Sequence, residues 1–222
     1  MEVAGVIVLR DFIQKSPIIP PAVVLYPGAT AHFSEVKTEA IRKSIHFLIA
    51  LCPGIAALNY HAIVLLLMAG ILGYTVMEFM RLAGKKVPVV SAITSMASRR
   101  RDMNRLVLGP VTLGLGAVFS LLFFPPVVAS IAIYALAFGD GLASLAGKMF
   151  GKIRPAFLYG KSIEGSIACF VSVFTVTWFV SRSFVVSLDA AITAAAVEAL
   201  PLEDYDNIAL PLAVGMVVAL IM

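Results

Sequence analysis

The sequence predicts an all-α, polytopic integral membrane protein with about seven transmembrane helices joined by short loops. Two observations carry this prediction. Of the 222 residues, 60% are hydrophobic and only 14% are charged, and the mean hydropathy of +0.98 is far above that of a soluble domain. The apolar residues also form continuous runs close to the roughly 20 residues that an α-helix needs to cross a bilayer.

Individual helices are predicted wherever an apolar run is long enough. The runs lie at roughly 44–58, 61–82, 106–124, 127–146, 163–181, 184–200 and 207–222. Residues 1–40 are predicted to be an interfacial or re-entrant segment, because charged residues and the Pro20–Pro21 pair interrupt their apolar stretches. A complete extra helix there is the alternative. Residues 41–222 are predicted to form one membrane-embedded domain, in which no internal repeat is visible.

The distribution of Lys and Arg predicts which helix ends face the cytoplasm, because short loops rich in these residues stay on that side. Arg42 and Lys43 precede the first predicted helix, and a basic loop separates the second from the third. Alternation then places the 147–162 loop and the 201–206 turn inside as well. Membrane orientation explains the net charge of +4 better than nucleic-acid binding, so no nucleic-acid partner is expected.

The same orientation gathers acidic side chains at the inner ends of several helices. Ionisable residues at the edge of a membrane helix are costly, and they are therefore candidates for a functional site. The acids are Asp140, Glu164, Glu198 and Asp206, and Asn207 adds a neutral oxygen donor. Carboxylate and amide oxygens are ligands that Mg²⁺ prefers, so these residues are candidate metal ligands.

The glycine-rich loop between Asp140 and Glu164 has a composition suited to binding a phosphate chain. It contains small residues and cations, namely Gly147, Lys148, Gly151, Lys152, Arg154, Gly160 and Lys161. Lys161 and Ser162 come directly before a predicted helix, where Ser162 can cap the helix and the N-terminus attracts an anion. The structural alternative is that the glycines only end one helix and turn the chain.

Two smaller polar clusters lie near the inner ends of the first two predicted helices. Arg42, Lys43 and His46 share one helical face, and Glu78 and Arg81 are spaced for an i, i+3 ion pair. For both clusters the sequence leaves two interpretations open, a structural interface feature or a part of the site.

These motifs resemble the family of dolichol kinases, phytol kinases and CTP-dependent diacylglycerol kinases, which is related to the phosphatidate cytidylyltransferases. The matching pieces are RKSIH at 42–46, EFMR at 78–81, FGDGLASLAGKMFGK at 138–152, GKSIEGSIACF at 160–170 and VEAL…DYDNIALPL at 197–212. The resemblance implies that CTP is the phosphoryl donor and that a divalent cation such as Mg²⁺ assists. It also implies that the acceptor is a membrane-dissolved lipid alcohol, such as a polyprenol, dolichol, phytol or diacylglycerol.

The resemblance also implies roles for individual residues. By motif position, the nucleotide-binding region consists of Asp140, Ala143, Gly147, Gly151, Lys161, Glu164 and Gly165, and Asp206 and Asn207 complete a metal or phosphate site. Arg154 stands where a lysine is common in the family, which keeps the charge but alters the hydrogen-bond geometry. Among the candidate catalytic carboxylates, Asp140 is the first choice for the base and Asp206 the second, with Glu164 as a further member of the set.

Two other functions are kept as alternatives. Cytidylyl transfer to a lipid phosphate is disfavoured, because the chain has no histidine after His61 and lacks a KD…PGHGG…DR-x-D type ending. An ion-coupled transporter would need acids near the bilayer midplane, whereas these acids are predicted at helix ends. We expect the protein in the cytoplasmic membrane or the endoplasmic reticulum, with its active site facing the cytoplasm. The acceptor and the oligomeric state, including a homo-oligomer, stay open.

Overall fold

The computed structural model of the chain describes residues 29–85 and 106–222. Within these ranges the chain is helical and contains no β-strand, which confirms the all-α prediction. The helices are α1 (Ala29–Leu48), α2 (Cys52–Leu58), α3 (Tyr60–Leu82), α4 (Gly109–Phe123), α5 (Pro126–Tyr134), α6 (Gly141–Met149), α7 (Ile163–Ser181), α8 (Phe184–Glu198) and α9 (Asp206–Ile221).

Short irregular helical segments connect some of these helices. A 3₁₀ turn at Ile49–Leu51 joins α1 to α2, and a second one at Ala156–Leu158 lies in the loop before α7. A π-helical segment at Ala135–Asp140 joins α5 to α6, so that Pro126–Met149 forms one continuous membrane-length stretch. Single-turn π-segments are frequent at functional sites, because they rotate the side chains that follow them.

Several stretches are long and apolar enough to cross a membrane. In the described ranges they are Val36–Leu58, Tyr60–Leu82, Pro126–Met149 and Ile163–Ser181, and Gly109–Phe123 and Asp206–Ile221 are shorter apolar helices. Every one of the predicted apolar runs is mostly helical, with bounds close to those expected. The protein is therefore polytopic in the membrane, as the sequence predicts.

The first helix begins earlier than its apolar run suggests. Residues 29–40, which belong to the predicted N-terminal segment, form the first part of α1. A buried acid in this part, Glu39, finds cationic partners inside the fold, so a charged sequence is compatible with a helix here. The rest of that segment, residues 1–28, and most of the basic loop, residues 86–105, lie outside the described residues.

Small residues bring the helices around the site close together. Ala190, Ala191 and Ala194 of α8 are fully buried in a core that also contains residues of α5, α7 and α9. Where α4 meets the beginning of α9, a Cβ atom added to Gly116 of α4 would lie 2.0 Å from the carbonyl oxygen of Asn207. Only glycine permits this approach, and it sets α4 against the beginning of α9.

Candidate functional site

One cavity of about 440 Å³ is lined by residues of α1, α3, α4, α6, α8, α9 and the loop before α7. Its volume lies within the range of about 300–1,000 Å³ that is usual for small-molecule sites. Most of the residues that the sequence analysis selected line this cavity, although they come from distant parts of the chain.

Asp140 is buried in the cavity wall, where the π-helical segment ends. Its carboxylate forms an ion pair with Lys43, which is 2% exposed, and its Oδ2 atom lies 3.1 Å from Nδ1 of His46. A buried carboxylate needs such partners, because an unpaired charge is costly away from water. The RKSIH motif on α1 and the GDG motif on α6 thus meet at one point.

Glu39 is a buried acid that the sequence analysis missed. It lines the cavity, is 1% exposed, and forms ion pairs with Arg42 on its own helix and with Lys148 on α6. The Lys148 Nζ atom lies 2.9 Å from its Oε2 atom. A signal was present in the sequence, since Glu39 is three residues before Arg42 and four before Lys43 on one helical face.

Two cations of the glycine-rich loop also line the cavity, and both bind carbonyl oxygens. The Arg154 guanidinium donates from Nη1 to the Gly160 carbonyl at 2.5 Å and from Nη2 to the Gly147 carbonyl at 2.7 Å. Lys161 donates to the carbonyl of Glu198, and its Nζ atom lies 3.4 Å from Oε1 of the same residue. These contacts fix the loop to the ends of α6 and α8.

The start of α7 packs closely against α6. Ser162 caps α7, as predicted, because its Oγ atom accepts a hydrogen bond from the Gly165 N–H at 3.1 Å. A Cβ atom on Gly165 would lie 2.9 Å from the Ala143 carbonyl, and one on Gly151 would lie 2.2 Å from the Gly147 carbonyl. The structural interpretation of these glycines is therefore supported, although Ala143, Gly147, Ser162 and Gly165 also line the cavity.

Glu164 faces the glycine-rich loop, and it is not among the residues that line the cavity. Its Oε1 atom accepts hydrogen bonds from the backbone N–H groups of Lys152 and Ile153 at 2.9 and 3.2 Å. Gly151 and Lys152 are likewise outside the lining. The structure thus separates Glu164 from Asp140 and Asp206, and its role as a metal ligand or catalytic acid stays a prediction.

Asp206 and Asn207 line the cavity from the first turn of α9. The Nδ2 atom of Asn207 donates to Thr112 Oγ1 at 3.0 Å and to the Gly109 carbonyl at 3.4 Å. Its Oδ1 atom is buried and has no hydrogen-bond partner in the part of the chain that the structure describes. A buried, unpaired oxygen beside a carboxylate can coordinate a cation or accept a hydrogen bond from a bound molecule.

The residues present fit a Mg²⁺ ion that is shared with a substrate. Within 29–85 and 106–222, no group of three or more His, Cys, Asp or Glu residues is arranged to hold a metal ion alone. Mg²⁺ in nucleotide sites usually takes one or two carboxylates and completes its coordination with phosphate oxygens and water. Asp206, the unpaired oxygen of Asn207 and Asp140 offer such a partial set.

Glu78 and Arg81 lie beside the cavity and are not part of its lining. The Arg81 guanidinium donates to both carboxylate oxygens of the fully buried Glu78, at 2.8 and 2.7 Å. The Val107 N–H also donates to Glu78 at 3.1 Å. This geometry favours the structural interpretation, since the pair anchors the chain as it approaches α4.

The cavity also has an uncharged side that the sequence analysis missed. Its residues, which we call the apolar wall, are Ile45 of α1, Tyr74 of α3, and Val107, Pro110 and Leu113 at and before the start of α4. Apolar residues are abundant throughout this sequence, so nothing in their pattern distinguishes the few that face a cavity.

Known proteins with similar sequences agree with the motifs. A phytol kinase from Synechocystis sp. is 31% identical to this chain over 143 residues. A CTP-dependent diacylglycerol kinase 1 from Eremothecium gossypii is 26% identical over 138 residues, and a probable chloroplastic phytol kinase from Zea mays is 28% identical over 156 residues. The resemblance to phytol kinases and CTP-dependent diacylglycerol kinases is confirmed.

The alignments with these kinases cover 60–62% of this chain and 59%, 43% and 52% of the Synechocystis, Eremothecium and Zea mays proteins. The chain thus spans about half the length of the curated relatives that it matches. No family model matches the chain. No solved structure matches it either.

Proposed function

We propose that this protein is a CTP-dependent lipid-alcohol kinase. It transfers the γ-phosphate of CTP to the hydroxyl group of a membrane-dissolved alcohol, and it releases CDP and a lipid monophosphate. The observation that carries this proposal is the composition of this cavity, which is lined by acids, cations and an apolar wall between membrane helices. The names of the relatives support it, since all three are kinases and one is CTP-dependent.

The cationic residues of the cavity are suited to the phosphate chain of CTP. Arg42, Lys148, Arg154 and Lys161 line it from two sides. Phosphoryl transfer depends mainly on positioning and on stabilising charge at the phosphate oxygens, which cations and a helix N-terminus supply. The beginning of α7, capped by Ser162, adds such an N-terminus at the cavity.

A bound Mg²⁺ ion would neutralise part of the phosphate charge, and Asp206, Asn207 and Asp140 are the residues that would hold it. The acceptor hydroxyl must lose its proton as it attacks the γ-phosphate in line. Asp140 is the first candidate for the proton acceptor and Asp206 the second. Lys43 and His46 contact the Asp140 carboxylate and orient it in the cavity.

The cavity is proposed to face the cytoplasm, in the cytoplasmic membrane or the endoplasmic reticulum, because the cytoplasm is where soluble nucleotides such as CTP are found. This orientation follows from the Lys and Arg distribution. It predicts that an impermeant thiol reagent added from the cytoplasmic side labels a cysteine introduced at Tyr159, which is exposed at the cavity. Labelling only from the opposite side would reverse the orientation.

The proposed reaction is tested with purified protein, CTP labelled in the γ-phosphate, Mg²⁺ and a panel of lipid alcohols resolved by thin-layer chromatography. We expect label in a lipid monophosphate and stoichiometric release of CDP. Release of pyrophosphate would instead indicate cytidylyl transfer. If no alcohol in the panel becomes labelled and CTP is not consumed, the proposal is wrong.

Asp140→Asn is the variant that addresses the site directly. Its amide oxygen still accepts a hydrogen bond from Lys43, so we expect a folded protein with a lowered melting temperature and no transfer. Asp189→Asn is the matched control, since Asp189 is an acid in the apolar helix α8 and is not among the cavity residues. Full activity of Asp140→Asn would remove the central acid from the mechanism.

A further inference from the structure

The apolar wall includes a residue of α3, which is the least buried of the four membrane-length stretches in the described ranges. Only 11% of the most apolar part of α3 is buried, and Leu65, Leu66 and Leu72 present large exposed side chains. Tyr74 is the residue of α3 that reaches the cavity, and its hydroxyl donates to the Val107 carbonyl at 3.2 Å. The wall therefore separates the charged site from a helix surface suited to hydrocarbon.

Residues of the apolar wall are close in sequence to residues that contact Asp140 and Asn207. Ile45 stands on α1 between Lys43 and His46, the residues that contact Asp140. At the other end, Asn207 donates to Thr112 and Gly109, which are neighbours of the wall residues Leu113 and Pro110. Because the wall residues and Asp140, Asp206 and Asn207 line the same cavity, a molecule lying on the wall can place one end beside these three residues.

The helices on either side of the wall have their main contacts elsewhere. In the described part of the chain, α3 packs mainly against α4 and α2, whereas α1 packs mainly against α6 and the π-helical segment. Ile45 and Tyr74 therefore lie on two helices that have few direct contacts with each other in the described part of the chain. A lipid chain can pass more easily between two helices with few mutual contacts than between two helices that are closely packed.

We propose that the apolar wall binds the hydrocarbon next to the hydroxyl group of the acceptor lipid, which reaches the cavity laterally from the bilayer between α1 and α3. This inference rests on the proposed function and adds the acceptor subsite to it. Lateral access keeps the chain in apolar surroundings throughout, because removing hydrocarbon from the bilayer into water is unfavourable. Only the hydroxyl end then enters the charged part of the cavity.

Ile45→Trp tests the subsite, because a larger ring would fill space at the wall. We expect the KM for the lipid alcohol to rise by on the order of tenfold, with the KM for CTP unchanged. Leu48→Trp is the matched control, since Leu48 lies one turn along the same helix, is 63% exposed and is not among the cavity residues. Equal effects of the two substitutions, or a parallel rise in both KM values, would overturn the subsite.

Photolabelling of the unaltered protein gives a second test that does not depend on activity or on a substitution. The probe is a lipid alcohol with a diazirine on the carbon next to its hydroxyl-bearing carbon, and labelled peptides are identified by mass spectrometry. We expect label on Ile45, Tyr74 or Leu113, and competition by unlabelled alcohol. Label confined to the outer face of α3, around Leu65 and Leu72, would show that the wall does not bind the acceptor.

The two proposals fail in different ways. If the protein phosphorylates lipid alcohols and the wall is not labelled, the subsite is wrong and the proposed function stands. If the wall is labelled competitively and no alcohol is phosphorylated, the kinase proposal is wrong and the wall is a binding site for a lipid alcohol.

Discussion

Lys43 and Asp140 are 97 positions apart in the chain and form a buried ion pair in the cavity wall. The pair holds α1 against the end of the π-helical segment, and so it fixes the carboxylate that is the first candidate for the base. Its members belong to separate sequence motifs, RKSIH and FGDG, which the fold brings into contact.

Removing one member of this pair is expected to destabilise the protein more than removing both. A single partner removed from a buried pair typically costs about 3–5 kcal/mol, because the other charge is left unpaired. Thermal unfolding in detergent of Lys43→Met, Asp140→Asn and the double variant measures the coupling, for which we expect at least about 3 kcal/mol, the upper end of the range for contacting side chains. Additive losses would mean that the two side chains do not interact in the folded protein.

Glu39 is expected to position cations for the nucleotide. In Glu39→Gln the carboxylate no longer holds Arg42 and Lys148, so their charges repel each other and shift. We expect the KM for CTP to rise about tenfold, with a smaller change in kcat. Lys37→Gln, an exposed charge change on the same helix, is expected to leave both constants unaltered.

The Glu39 prediction also includes rescue by the conservative variant. Glu39→Asp keeps the charge on a shorter side chain, and we expect it to recover part of the affinity for CTP. A KM for CTP in Glu39→Gln equal to that of the unaltered protein would show that Glu39 only stabilises the fold.

Gly165→Ala is expected to destabilise the contact between α6 and α7. The added methyl group would lie 2.9 Å from the Ala143 carbonyl, and neither backbone segment can move freely. Overpacking of this kind costs about 1–3 kcal/mol in thermal or denaturant unfolding.

Gly73→Ala is the matched control for this change, since a Cβ atom there has no neighbour within 4 Å. Alanine is favoured over glycine inside a helix by up to about 1 kcal/mol, so this variant is expected to be neutral or slightly more stable. If both alanine variants unfold at the same temperature, the close approach of α6 and α7 does not make a methyl group at residue 165 destabilising.

Chelation of divalent cations with EDTA is expected to stop phosphate transfer, and added Mg²⁺ to restore it. Asn207→Ala removes the unpaired buried oxygen, so we expect the Mg²⁺ concentration for half-maximal activity to rise by about tenfold or more. Thr112→Val removes only the hydroxyl that accepts from Asn207 Nδ2, and it is expected to have a smaller effect. An unchanged Mg²⁺ requirement in Asn207→Ala would exclude that oxygen as a ligand.

The helical architecture and the meeting point of the site could be predicted from the sequence. Apolar runs of bilayer length are visible directly, and the charge distribution placed Asp140, Lys161, Glu198, Asp206 and Asn207 on one side of the membrane. All five line the same cavity. Their convergence follows from topology alone, because alternating helices return to the same side at every second loop.

The orientation of individual side chains could not be predicted in the same way. Glu164 has the carboxylate and the sequence position expected of a site acid, yet this carboxylate accepts hydrogen bonds from backbone N–H groups of the loop. Glu39 lies outside the apolar run of its helix, and its contact with Lys148 joins helices that are distant in sequence. Such contacts depend on how helices are rotated against each other, which hydropathy does not determine.

The early beginning of α1 determines how much of this chain a minimal functional unit must contain. A boundary at residue 41, where the first apolar run suggests one, would cut α1 and remove Glu39. Lys148 would lose its acid partner, and Glu39 would no longer join Lys148 to Arg42. We therefore expect a shortened protein that keeps all the apolar spans after that boundary to insert in the membrane still, and to have a lower affinity for CTP, the proposed donor.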